Sequence, residues 1–143
     1  MQVTRRFLAS LVVVFASVLE VASAPAAQAA APAPASGSFA ATIAPVGTRS
    51  ADGNTFIDFT FVEQFEGTLS GTRLGTGRLV IHPDGTVNVR DSGLFSGSIG
   101  GATGTAILSA SISGTFGSIA ANFVVADGTD GLSGIHVEGT AAG

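Results

Sequence analysis

Cysteine, tryptophan, tyrosine and lysine are all absent from this chain of 143 residues. Without cysteine there is no disulfide framework, so stability has to come from strand pairing and packing. Without lysine, and with only Arg49, Arg73, Arg78 and Arg90 beyond the first thirty residues, there is no clustered basic surface of the kind a nucleic-acid partner requires. Charged residues are scarce as well, at 11% of the chain. Scarcity of charge does not mean disorder here. An apolar content of 45% arranged with strand periodicity is enough to bury a core. Beyond the N-terminal segment, no stretch repeats apolar residues at helical spacing over three turns.

What the chain does have is glycine, twenty residues of it, and a two-residue alternation. The stretch from Phe95 to Phe116 shows the pattern best. Gly104, Ala106, Leu108, Ala110, Ile112 and Phe116 share one parity, and Thr103, Thr105, Ser109, Ser111, Ser113 and Thr115 share the other. Successive side chains of a strand point to opposite faces, so this is a strand with one oily face and one hydroxyl face. Gly100-Gly101 supplies the positive φ angles that a tight hairpin needs.

The first 29 residues read as a signal peptide. Arg5-Arg6 is the positive start, Phe7 to Val21 the apolar stretch, and Ala27-Gln28-Ala29 the preferred small-residue cleavage site over Ala22-Ser23-Ala24. The expected destination is the outside of the cell, the periplasm or the cell surface, by the general export route or, given the paired arginines, the twin-arginine route. Cleavage after Ala29 leaves four arginines against nine acidic residues and no membrane span in the mature protein. Residues 30–36 are an Ala/Pro tether, and 37–143 the folded domain.

Within the domain the same parity recurs. Gly37, Phe39, Ala41 and Ile43 face one way, then Ile57, Phe59, Phe61, Phe65 and Leu69, then Gly75, Gly77, Leu79 and Ile81. Val87, Val89, Phe95 and Ile99 follow, then Ile119, Ala121, Phe123 and Val125, then Ile135, Val137, Gly139 and Ala141. Asp52-Gly53 and Pro83-Asp84-Gly85 are turn signals. Six to eight hairpin-linked strands with one apolar face can form a sandwich or a barrel. Glycine on the inner face suits strong coiling, so the expectation is an all-β, up-and-down antiparallel barrel of about eight strands.

Several pieces occur in a fixed order: Phe65-x-Gly67-x-Leu69-x-Gly71, Pro83-Asp84-Gly85, Phe95-x-Gly97-x-Ile99-Gly100-Gly101-x-x-Gly104, Ser113-Gly114-Thr115-Phe116 and Gly131-Leu132-x-Gly134-x-x-x-Glu138-Gly139. In this the chain resembles DUF3224, a bacterial family of unknown function whose fold is likened to the allene oxide cyclase barrel. The resemblance covers nearly all of Gly37 to Ala142. It implies an eight-stranded antiparallel barrel and no activity. None of the plant cyclase's catalytic residues is carried over to this sequence. The signal peptide is a departure, since many relatives look cytoplasmic. Related barrels often pair through their outer walls, so a homo-oligomer is an open expectation.

Two carboxylates interrupt the oily parity. Glu63 lies between Phe61 and Phe65, and Asp91 between Val89 and Phe95. Pointing into an apolar lumen they would raise each other's pKa and could act as acid and base. A bulge could instead turn each outward, or Arg73, on the same parity, could pair with them. These two are the candidate catalytic residues, and Phe59, Phe61, Phe65 and Phe95 the candidate ligand-binding wall. His82 and His136-x-Glu138 fall on the outer parity, short of the three or four clustered ligands a metal needs. No helix follows the Gly-x-Gly patterns, so they are not phosphate loops. No cofactor is implied. The expected function is that of an exported, non-enzymatic barrel, structural or holding a small apolar molecule. The alternative is a cofactor-free isomerase or cyclase working on an apolar substrate in the lumen.

Overall fold

The computed structural model describes residues 10–15, 20–21 and 35–143. From Gly37 onward the chain is a seven-stranded antiparallel meander: β1 (Gly37–Ala51), β2 (Asn54–Gly67), β3 (Leu69–Ile81), β4 (Thr86–Ile99), β5 (Ala102–Thr115), β6 (Ser118–Ala126) and β7 (Val137–Ala142). Each strand pairs with the next, and no α-helix occurs among the described residues. The turn chemistry explains the hairpins. Asp52 and Gly53 both take positive φ between the paired Ala51 and Asn54, and Gly100 and Gly101 do the same between Ile99 and Ala102. At the β3–β4 turn, the Asp84 carboxylate accepts from the Thr86 amide at 2.9 Å and from its hydroxyl at 2.7 Å.

The apolar parity is the inner face on every strand. Phe59, Phe61, Val87, Phe95, Ile99, Ala106, Leu108, Val125 and Val137 are buried, and the alternate positions of the central strands are mostly exposed. The inner faces of all seven strands line one cavity, from Phe39 on β1 to Ala141 on β7, so the sheet curls around it. The 127–136 connection, with a short 3₁₀ turn at Asp130–Leu132, folds against β5 and buries Leu132 in the core.

Two expectations are corrected. The sheet does not close into an eight-stranded barrel: it has seven strands in the body, and β1 and β7 share no ladder. Their outer edges are taken by two short strands from the N-terminal segment instead. Ser10–Phe15 pairs with Gly37–Thr42, and Glu20–Val21 pairs with Val137–Glu138. Phe116, expected on the inner face, is 73% exposed, because β5 ends at Thr115 and Phe116-Gly117 forms the turn to β6. Of the expected tether, Ala35 and Ser36 are described, and Ala35 is buried in the core; the remainder of the expected signal peptide and tether lies outside the described residues. Pro45 marks a β-bulge in β1, where the register shifts between Pro45 and Gly47 and the extra residue, Val46, faces outward.

Candidate functional site

The register between β2 and β3 builds the site. On the inner face, Phe59 lies opposite Gly77, Phe61 opposite Gly75, and Phe65 opposite Gly71. The rings of Phe59 and Phe61 occupy the space that a side chain on Gly77 or Gly75 would need. The fourth pair in the row breaks the rule: Glu63 lies opposite Arg73. A bare strip runs beside it, because Gly75 pairs with Gly93 on β4, which pairs in turn with Leu108 on β5. With no side chains on that strip, the Arg73 guanidinium can reach along it.

It does so and is fully engaged. Arg73 Nη1 donates to Glu63 Oε2 at 2.8 Å, and Nη2 donates to Asp91 Oδ1. Nε and Nη2 donate to the Leu108 carbonyl oxygen at 3.1 and 2.8 Å. The guanidinium carbon stands 4.4 Å from the centre of the Phe61 ring, a cation–π contact. Arg73 is 2% exposed. A charge so deeply buried is tolerable only when paired and hydrogen-bonded, and every buried side-chain nitrogen and oxygen among the described residues has a partner.

The cluster holds two carboxylates against one guanidinium. Burial pushes the Glu63 carboxyl above the ordinary glutamate range, and the Asp91 charge adds to the push, while the charge and hydrogen bond of Arg73 pull it back. Glu63 and Asp91 therefore face the lumen and meet on Arg73.

Glu63, Arg73 and Asp91 border a cavity of about 110 Å³ whose other walls are mostly apolar, including Phe39, Leu69, Ile112 and Phe123. Of the four phenylalanines expected to form a ligand wall, Phe65 lines this cavity. Phe59 and Phe61 cover the glycines beside it, and Phe95 is sealed in the core, edge-on to Phe65 at 5.9 Å between ring centres. Phe39 and Phe123, which do line it, shared the inner parity in the sequence and were not singled out there. Outside the lumen, His82 sits between Asn54 and Asn88, each at 2.7 Å. His136 contacts Glu138 at 3.0 Å on the surface. No group of three or more metal-binding side chains is found among the described residues.

No protein-family model matches the chain, and no curated protein matches it. A solved structure does: a protein of unknown function from the DUF3224 family of Shewanella oneidensis MR-1, 14% identical, covering 90% of this chain and 96% of that one, with a TM-score of 0.60. The two chains share a fold. At that level of identity the DUF3224 likeness concerns the path of the backbone, and it carries no activity with it.

Proposed function

We propose that this chain is an exported member of the DUF3224 family that binds a small, largely apolar molecule in the curl of its sheet. The observation that carries the reading is the cavity of about 110 Å³, apolar on most sides, with the Glu63–Arg73–Asp91 cluster in its wall. Binding pockets combine mainly apolar walls with a few placed polar groups that fix orientation. A protein with a purely structural role has no need to bury two carboxylates and a guanidinium around a void. The signal-like start of the sequence supports a place outside the cytoplasm. Native mass spectrometry of protein purified from its own host tests the binding reading. A retained small molecule supports it, and a chain that is empty both as purified and after incubation with apolar compounds overturns it.

A second reading, a cofactor-free isomerase or cyclase, has one observation in its favour. Glu63 is a carboxyl held toward its protonated form by burial, beside a second carboxylate, and that is the arrangement by which acid and base roles are separated in an apolar site.

A further inference from the structure

We propose that the cavity selects amines: a protonated nitrogen carried on a short alkyl body. The inference rests on the binding reading above and gives the ligand its chemical class.

Hydrogen-bond supply in the cavity favours a cation. An anionic guest needs a charged donor, and the one charged donor here is spent. Arg73 is the only basic residue lining the cavity, and it already serves Glu63, Asp91 and the Leu108 carbonyl. Acceptors are in surplus. Arg73 takes Oε2 of Glu63 and Oδ1 of Asp91, which leaves Oε1 and Oδ2 for a guest. The charges agree with the hydrogen bonds. Glu63 and Asp91 are the buried acidic groups lining the cavity, against one guanidinium, and Glu66, which also borders it, is exposed. An excess negative charge in an apolar surround is costly until a proton or a cation joins it. The aromatic walls suit a cation as well, since Phe39, Phe65 and Phe123 line the cavity and aromatic rings attract positive charge. Size limits the body of the guest. The volume of about 110 Å³ is below the roughly 150 Å³ that accommodates benzene in an engineered cavity, so the part of the guest held inside is a short chain.

The test compares three probes with one tail, n-pentylamine, n-pentanol and pentanoate, titrated into the full chain by calorimetry or amide NMR at neutral pH. The amine should bind roughly tenfold to a hundredfold more tightly than the alcohol, the range a charge-assisted hydrogen bond supplies. Pentanoate should bind more weakly than either. The preference for amine over alcohol should fall toward unity in Asp91→Asn and Glu63→Gln. A measurement on the unaltered chain does not depend on those variants folding. Amine affinity should rise with pH as Glu63 gives up its proton beside Arg73, Asp91 and Glu66, while alcohol affinity stays flat. Equal binding of amine and alcohol, or tighter binding of pentanoate, overturns the amine assignment and leaves the cavity as a binding site. Failure of all three probes overturns the amine assignment too, and the native mass spectrum then decides whether the cavity binds at all.

Discussion

Arg73 holds together two groups that would otherwise repel each other. Replacing it with methionine keeps most of the volume and removes the charge, leaving Glu63 and Asp91 facing each other across an apolar space. Arg73→Met should cost about 3–5 kcal/mol at neutral pH, the range found when one partner of a buried ion pair is removed. Urea denaturation at neutral and acid pH would check this, because the cost should shrink in acid, where the stranded carboxylates can take up protons. Glu63→Gln should be far milder, within about 1 kcal/mol, since the amide oxygen can still accept from Arg73 and the remaining Asp91–Arg73 pair is balanced in charge. Its signature is in pH dependence. The Glu63 carboxyl lies above its unfolded value of 4.5 in the folded chain, so on raising the pH the unfolded chain releases its proton first. Stability is therefore fullest below that value and declines as pH rises through the folded one. The glutamine variant should lose this decline, and an unchanged stability–pH curve would show that Glu63 does not titrate as argued. The inward parity of Glu63, Asp91 and Arg73 could be read from the alternation alone. Their pairing was one of the alternatives that the alternation left open, and the choice depends on the register that sets Glu63 opposite Arg73 and Gly75 opposite Gly93.

Among the strands, β2 and β3 behave as one unit in which rings on one strand cover glycines on the other. A side-chain carbon on Gly75 would collide with the Ser92 carbonyl oxygen and lie 2.6 Å from the Phe61 ring. One on Gly77 would meet the Phe59 ring and stand 2.8 Å from the Asp91 side chain. Neither residue needs an unusual backbone conformation, so the cost of Gly75→Ala or Gly77→Ala is overpacking, about 1–3 kcal/mol. Gly47→Ala is the control. Its added carbon would meet nothing within 4 Å, and thermal unfolding should be unchanged. If Gly75→Ala melts with the control, the rings do not need the glycines beneath them. At this scale the sequence is informative on faces and silent on edges. Alternation says which side of β1 or β7 is oily, but strand closure depends on backbone groups at the edges, which every residue except proline carries alike. An expected eight-stranded barrel and an observed seven-stranded open sheet have the same alternation. The Phe116 error has the same origin: parity was extended one step beyond Thr115, where the strand gives way to a turn.

For the whole molecule the question is what the open seam needs. The six ladders from β1 to β7 lie entirely within residues 37–142, whereas the N-terminal segment adds only Ser10–Phe15 along β1 and Glu20–Val21 along β7. The core residues from Phe95 to Val137 come from the body as well. A chain lacking residues 1–29, the form that cleavage after Ala29 would produce, should therefore keep its β-sheet circular dichroism and unfold in one cooperative transition. Its edges should nonetheless loosen. Gly37–Thr42 and Val137–Glu138 lose their N-terminal partners, and unpaired edge strands open at lower free energy than central ones. Hydrogen exchange should accelerate within those two segments and stay slow in β3, β4 and β5. The same edge strands contribute Phe39 and Ala141 to the cavity wall, so the faster-opening seam gives a guest a way in. The shortened chain should accordingly bind and release n-pentylamine faster than the full chain, with the contacts to Glu63 and Asp91 unaltered. Loss of the sheet on removing the N-terminal segment would mean that its two strands are part of the fold. Unchanged exchange at Gly37–Thr42 would mean that the seam is held by something other than those strands.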